Sequence, residues 1–147
     1  MVEKNISDIE QEIVEEFELF DDWAEKYEYI IELGQKLNTL DPKHKVDSNK
    51  IKGCQSNVWL HAFTNQGRII FEADSDSTFV KGEIALLIRV LSGQSAADII
   101  NNDLSFIDKI GLRQHLAMTR ANGLASMIKQ MKFYALGYQS KQKHDGN

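Results

Sequence analysis

The chain has 147 residues, 42% of them hydrophobic and 27% charged, with a formal net charge of −5 and one cysteine. These values predict one packed domain over residues 1–147 and exclude a disordered chain, an internal disulfide and a nucleic-acid partner. No apolar run approaches the roughly 18–20 residues of a membrane span and the start lacks a secretory pattern, so we expect a cytoplasmic protein with no membrane partner.

Two amphipathic helices are predicted at the start of the chain. Ser7 opens a capping-box pattern, and apolar residues recur after it at helical spacing. Asp22 opens the second helix, which must end before Pro42. Residues 1–28 hold eleven acidic and two basic residues, so they carry −9 while the remainder carries +4. We therefore expect an acidic helical hairpin.

Residues 41–57 are mostly polar and predict a long irregular loop, called the cysteine loop below, with Val46 and Ile51 as its apolar anchors. Loops longer than about 12–15 residues are uncommon in compact domains and are often functional. Cys54 lies near the far end of this loop, after a cluster of four lysines: Lys43, Lys45, Lys50 and Lys52. The four histidines of the chain show no paired ligand spacing, so no metal site is predicted.

Three short strands are predicted after the cysteine loop, at residues 58–63, 68–73 and 77–80, because turn signals separate apolar segments that alternate. They predict an antiparallel meander with one apolar face. Residues 84–91 are apolar nearly all round, which predicts a buried central helix against that face.

The remaining elements are predicted to be helical. Ser95 opens a short helix, another covers residues 104–110, and Thr119 is the predicted N-cap of a long final helix. The core is expected over about residues 6–138, with a frayed tail at 139–147. The predicted fold class is α+β, one domain with a small antiparallel sheet of about three strands packed against helices.

A lone cysteine is more often an inert buried side chain than a nucleophile. The position of Cys54 favours a reactive thiol, because it follows Gly53 in a polar loop where a partner can approach the backbone. An ordinary thiol, with a pKa of about 8.5, is only about 3% ionised at pH 7. Positive charge from Lys50 and Lys52 would therefore favour the thiolate if these side chains lie near it.

Sulfane-sulfur transfer is the chemistry that best suits a single thiol. One cysteine excludes redox cycling between two cysteines, and a cluster bound within one chain normally needs several thiolates. A hydrolase would need a base, and nothing in the spacing of His61 or His115 supports that role. Attack on a partner's persulfide needs only one acceptor sulfur. A non-catalytic adaptor with a buried thiol and a thiol-dependent hydrolase remain as alternatives.

The segment Gly53-Cys54-Gln55-Ser56-Asn57-Val58-Trp59 resembles the signature of the SufE family of sulfur acceptors. Other segments resemble the family in the same order: residues 23–27, 30–34, 74–76, 80–82 and 114–116, then Arg120 and residues 123–124. The resemblance spans roughly residues 23–134, and an ordered set of this kind is far more specific than four residues around a cysteine.

The resemblance implies an α+β fold shared with iron-sulfur cluster scaffold proteins. It implies that Cys54 accepts persulfide sulfur from a SufS-like cysteine desulfurase, that the chain stimulates this enzyme, and that it delivers sulfur to a downstream Fe-S scaffold complex. Pyridoxal phosphate would belong to the desulfurase, so no cofactor is expected in this chain. The family also implies a thiol that rests in a sheltered position and swings out with its loop on docking. We expect a monomer or a weak homodimer.

Supporting residues are expected around Cys54. A basic rim that meets the desulfurase is predicted from the lysine cluster and a neighbouring turn: Lys43, Lys45, Lys50, Lys52, Asp74 and Asp76. Gly53, Gln55, Ser56 and His115 are taken as partner-binding positions from the family-like segments. Arg120 is predicted to stabilise the thiolate or the persulfide anion, because the family motif also carries an arginine there. A surface ion pair with Asp103 or Asp108 is the alternative.

Overall fold

The computed structural model describes residues 5–145, with side chains described as far as residue 142. Its main elements are α1 (Ile6–Phe17), α2 (Trp23–Gln35), β1 (Val58–Asn65), β2 (Arg68–Ser75), α3 (Thr78–Leu91), α4 (Ala96–Asn101), α5 (Phe106–Lys109) and α6 (Met118–Asp145). Short 3-10 helices lie at Pro42–His44, Asp47–Asn49 and Arg113–His115. The fold is a mostly helical α+β domain, which confirms the predicted class.

The sheet of the described residues has two strands, so the predicted third strand is wrong. Residues 77–80 instead begin α3, because the Ser77 hydroxyl accepts a hydrogen bond from the Val80 N–H at 3.3 Å and caps the helix. Single bridges flank the hairpin where further strands would pair: Lys50 with Trp59 and Ile69 with Gln94. The N-cap therefore outweighs the strand pattern at this point of the sequence.

The hairpin between β1 and β2 has the register that a two-residue turn dictates. Gln66 and Gly67 both have positive φ, 53° and 79°, as the predicted turn at residues 65–67 requires. The register pairs Trp59 with Asp74 and His61 with Glu72 across the strands. The end of β2 therefore lies beside the start of β1, directly after the cysteine loop.

Two helix starts differ from the sequence prediction. The Asn5 side chain, not that of Ser7, accepts the capping hydrogen bond of α1, from the Asp8 N–H at 2.8 Å. α6 begins at Met118, so Thr119 lies inside its first turn. The predicted caps at Asp22 and Ser95 are confirmed.

The central helix α3 is buried as predicted, with Ile84, Leu87, Val90 and Leu91 all at most 1% exposed. It crosses α2 at a glycine pair, where a Cβ added to Gly82 would lie 1.9 Å from the carbonyl oxygen of Ile30. Only hydrogen fits there, so the two helices approach more closely than side chains would allow.

The last helix extends beyond the predicted core. α6 continues to Asp145, whereas the sequence predicts a frayed tail from residue 139. The Tyr138 hydroxyl donates to the Ala62 carbonyl at 2.9 Å and fixes α6 to β1. Residues 146–147 of the predicted tail lie outside the described residues. Within the described chain, no helix combines the length and apolarity that crossing a membrane requires.

Candidate functional site

The cysteine loop lies along α6, and it lines one hollow of the surface before Gly53 and a different one after it. Residues 50–52 line a groove with residues 126–134 of the helix, whereas residues 54–56 line a cavity with residues 119–127. Gly53 makes this change with a φ of 92°, and a Cβ there would lie 2.5 Å from the Ser126 Oγ. The backbone conformation and the close approach both require glycine.

Cys54 is half-buried at the wall of this cavity. Its thiol donates a weak hydrogen bond to the Gly123 carbonyl, with Sγ and oxygen 3.5 Å apart. Burial, and then the charge that Glu83 carries once it is ionised at higher pH, raise the pKa of the thiol above its ordinary value. The thiol therefore rests neutral and sheltered near pH 7.

The cavity, called the thiol cavity below, has a volume of about 80 Å³ and opens between the cysteine loop, α3 and α6. Apolar and polar groups share its wall, including Cys54, Val80, Glu83, Arg120, Leu124 and Met127. Gln55 and Ser56 also line it, so the family-like segment after the cysteine faces the same space. A water molecule takes about 30 Å³ in the liquid, so the cavity has the volume of about two to three water molecules beyond the thiol.

Glu83 is the group around this cavity that sequence reasoning missed. Its side chain is 2% exposed, and among the buried side-chain polar atoms of the described residues its Oε2 alone lacks a hydrogen-bond partner. Burial raises the pKa of Glu83 to about 8, against a smaller lowering by Arg120. The signal in the sequence is a carboxylate at the start of an otherwise apolar helix segment, residues 82–88.

Arg120 faces the cavity from the first turn of α6. Its Nη1 donates to the Tyr27 hydroxyl at 3.2 Å, and its guanidinium lies 4.8 Å from the Phe79 ring centre. Arg120 lines the cavity together with residues 54–56, so the predicted proximity to the cysteine loop is present. The alternative ion pair is not formed, because Asp108 pairs with Arg113 and Asp103 accepts from a backbone N–H.

Asp74 is buried at the end of β2 and not displayed on a rim. Its carboxylate lies 2.5 Å from Lys45 Nζ and 3.2 Å from Lys81 Nζ. Burial acts to raise its pKa, but the hydrogen bonds from Lys45, the Ser75 N–H and Lys81 outweigh burial and lower it. The ion pair with Lys45 fixes the first half of the cysteine loop to the sheet.

Asp76 fixes the other end of the loop. Its two carboxylate oxygens accept from the backbone N–H and the side-chain amide of Asn57, at 3.1 Å and 2.9 Å. The Ser75 hydroxyl donates to the Asn57 carbonyl at 2.7 Å. Asp74 and Asp76 therefore hold the loop in place on both sides of Cys54.

The predicted lysine cluster does not surround the thiol. Lys45 and Lys50 both lie over the Trp59 ring, and Lys50 and Lys52 line the groove on the far side of Gly53. Lys43 forms an exposed pair with Asp41. The condition under which Lys50 and Lys52 would favour the thiolate is not met in this structure, because both line the groove on the other side of the turn and the pKa of Cys54 is raised.

His61 and His115 lie away from the thiol cavity. His115 stacks on Trp23 with ring centres 4.5 Å apart, and its Nδ1 lies 2.8 Å from the Gly111 carbonyl oxygen. It therefore joins the start of α2 to the segment before α6. Neither His115 nor His61 lines the cavity, so neither is placed there as a base for Cys54.

Three potential metal ligands do come together elsewhere, which the spacing of the histidines did not predict. Ligand atoms of His44, His61 and Glu72 lie within 4.8 Å of one another. The two imidazole rings stack face to face, 3.6 Å apart and 12° from parallel. Lone pairs of ring nitrogens lie in the ring planes, so one ring would have to turn before both could bind the same ion.

Residues 11–135 match the SufE family, described as an Fe-S metabolism associated domain. An uncharacterized SufE-like protein of Rhizobium meliloti is 39% identical over 131 residues, which cover 86% of this chain and 94% of that protein. SufE-like protein 1, chloroplastic/mitochondrial, of Arabidopsis thaliana is 39% identical over 138 residues, but this chain spans only 37% of its length.

A Synechocystis SufE-like protein is 35% identical over 132 residues, covering 90% of this chain and 83% of that protein. The solution structure of a hypothetical protein from Thermus thermophilus superposes with a TM-score of 0.74 at 18% identity. That superposition covers 90% of this chain and 96% of the Thermus chain, and it supports the fold alone.

Proposed function

Because this chain belongs to the SufE family of Fe-S metabolism, we propose that Cys54 accepts a sulfur atom from a cysteine desulfurase and passes it on for iron-sulfur cluster assembly. The observation that carries this proposal is a free, half-buried thiol beside a small cavity, in a loop with the family-like signature. The desulfurase would be SufS-like and would hold the pyridoxal phosphate, and a scaffold complex would receive the sulfur.

The transfer exchanges one sulfur–sulfur bond for another. The Cys54 sulfur attacks the outer sulfur of a persulfide on the desulfurase cysteine, and the thiol proton leaves Cys54. The bond within the donor persulfide breaks as the new bond at Cys54 forms, and the desulfurase cysteine leaves as a thiolate that takes up a proton. The step needs no oxidant, because it is a displacement like thiol–disulfide exchange.

The resting position of the thiol supports a loop that moves on docking. Cys54 is only half-buried, its hydrogen bond to Gly123 is long, and Gly53 and Gln55 beside it are exposed. Attack on a second protein requires the thiol to leave the cavity wall, where its pKa is raised. Once in water or beside the donor, the thiol regains a more ordinary pKa and forms the thiolate more readily.

Cys54→Ser tests the carrier function, since serine keeps the size of the side chain and removes the acceptor sulfur. Wild-type protein incubated with a cysteine desulfurase and free cysteine should gain the mass of one sulfur, reversibly with a reductant. The serine variant should fold, gain no sulfur and fail to stimulate the desulfurase. If it stimulates the enzyme as well as wild type does, the chain is an adaptor and the carrier proposal is wrong.

The proposed docking face includes Lys50 and Lys52, two exposed lysines of the basic rim. Exposed charges mainly steer encounter, so Lys52→Glu should slow association with the desulfurase and flatten its salt dependence. Lys109→Glu, an exposed change on α5, is the matched control. Equal association rates and salt slopes for both variants would remove the rim from the proposal.

Arg120 is the residue we propose to accompany the anion at the cavity. Arg120 lines the cavity, and its guanidinium contacts the Tyr27 hydroxyl and the Phe79 ring. Arg120→Ala should slow sulfur acceptance, with Arg113→Ala as a control for loss of an exposed arginine. Equal rates of acceptance in the two variants would return Arg120 to a purely structural role.

A further inference from the structure

Glu83 presents an unsatisfied polar atom next to the nucleophile. A buried oxygen without a hydrogen-bond partner lowers the stability of the folded state, so such atoms are uncommon in native proteins. Oε2 of Glu83 lacks a hydrogen-bond partner, its side chain is 2% exposed, and it lines the same cavity as Cys54. The thiol cavity is therefore a place where a partner for this carboxyl can bind.

One sulfur atom fits the available space. A sulfur bonded to Cys54 would extend the side chain by about 2 Å. The cavity of about 80 Å³ has the volume for that atom. Persulfides are more acidic than thiols, so the added sulfur carries negative charge near neutral pH and accepts hydrogen bonds. A buried acid that lines the same cavity is a suitable donor to such an atom.

We propose that the thiol cavity is the binding site of the transferred sulfur, and that the carboxyl of Glu83 donates a hydrogen bond to the outer sulfur of the Cys54 persulfide. This inference rests on the proposed function, because it concerns the loaded form of the carrier. Glu83 is then a positioning residue that holds the persulfide in the thiol cavity until a recipient docks. In the unloaded protein this carboxyl has an oxygen without a partner because the sulfur that would accept its hydrogen bond is not yet bound.

The ionisation of Glu83 supports the donor role. With a pKa of about 8, the carboxyl is mostly protonated at pH 7 and carries the hydrogen that the bond requires. The titratable and charged groups that face it are the Cys54 thiol from the cysteine loop and Arg120 from α6. Tyr27 of α2 is connected through its bond to Arg120. Above pH 8 the carboxylate would lose its donor and repel the persulfide anion.

Loading with inorganic polysulfide tests the inference without the desulfurase. The Cys54 sulfur takes one sulfane sulfur from the polysulfide, and a polysulfide with one sulfur fewer is released. The rate at which cyanide removes that sulfur as thiocyanate then measures how well the cavity holds it. The variants are Glu83→Gln, which keeps a neutral donor, and Glu83→Leu, which removes it. Glu28→Gln and Glu28→Leu, at an exposed position of α2, are the matched controls.

At pH 7 we expect Glu83→Leu to release sulfur about tenfold faster than wild type, the effect of losing one hydrogen bond to a charged group. Glu83→Gln and both controls should stay within about twofold. Between pH 7 and 9 the wild-type rate should rise relative to that of Glu83→Gln, because only the carboxyl loses its proton. This pH dependence separates a donor from a residue that merely fills space.

Two results would overturn the inference while leaving the carrier function intact. In the first, Cys54 takes up sulfur but Glu83→Leu releases it no faster than wild type does. In the second, the ratio of the release rates of wild type and Glu83→Gln does not change with pH. If Cys54 takes up no sulfur from polysulfide or from the desulfurase, both proposals fail together. Far-ultraviolet circular dichroism of each variant before loading excludes misfolding as the cause of a fast rate.

Discussion

Asp74 and Glu83 are two buried carboxyls on either side of the start of α3, and they differ in their hydrogen-bond partners and in their ionisation. Asp74 is 5% exposed and has two lysines and a backbone N–H as partners. Glu83 is 2% exposed and has an oxygen with no partner. The first is ionised and holds the cysteine loop to the sheet, whereas the second is a neutral acid beside the thiol at pH 7. A buried charge with partners thus marks the framework, and an unsatisfied acid marks the site.

The largest expected effect is at Glu83. Its folded-state pKa is raised from the ordinary value of 4.5 to about 8, so its contribution to stability is complete below pH 4.5 and is lost as pH rises to about 8. At pH 7 we expect Glu83→Gln to raise the free energy of unfolding by about 3 kcal/mol. At pH 4 the difference should nearly vanish, and urea denaturation at both pH values would measure it. A variant no more stable than wild type at pH 7 would mean that Glu83 finds a partner in solution.

The opposite sign is expected at Asp74. Its folded-state pKa is lowered from the ordinary value of 3.8, so its contribution is present above that value and is lost as pH falls through the lower one. Asp74→Asn should reduce the free energy of unfolding by about 1–3 kcal/mol at pH 7. On acidification the stability that Asp74→Asn loses relative to wild type should become smaller. The stability that Glu83→Gln gains should also become smaller, so the two variants approach wild type from opposite sides. A loss that did not depend on pH would show that packing, and not the charge, holds the loop.

The smallest expected effect compares two lysines of the same loop. Lys45 pairs with buried Asp74 and lies over Trp59, whereas Lys43 pairs with Asp41, a side chain that is 55% exposed. Lys45→Gln should cost about 1 kcal/mol and speed proteolysis within the cysteine loop. Lys43→Gln should stay within about 0.5 kcal/mol of wild type. Equal losses would contradict the assignment of Lys45 to the framework.

Local signals in the sequence predicted much of the framework. The caps at Asp22 and Ser95, the turn at residues 65–67 and the buried central helix all follow from short patterns, and the structure confirms them. The third strand failed because one hydroxyl, that of Ser77, forms a helix cap within a segment that alternates like a strand. Propensity and capping compete there, and only the packed chain decides between them.

The site itself was less predictable, because it depends on contacts between distant segments. The sequence identifies Cys54 and brings attention to Arg120, but not the burial that raises the pKa of the thiol. Glu83 stands out only once the helix around it is known to be buried. The pairing of His61 with Glu72 follows from a two-residue turn at residues 66–67, yet the stacking of His44 on His61 does not follow from any local pattern.

The crossing of α2 and α3 has a consequence for which sequence changes the site can tolerate. At Gly82 a methyl group would meet the Ile30 carbonyl oxygen at 1.9 Å, so alanine there would push the two helices apart. Tyr27 and Phe79 stack across this crossing at 4.5 Å and together support Arg120, while Glu83 follows Gly82 directly. The hydrogen atom at position 82 thus acts as a spacer between α2 and α3 that fixes where Tyr27 and Phe79 meet Arg120, although it touches neither the thiol nor a bound sulfur.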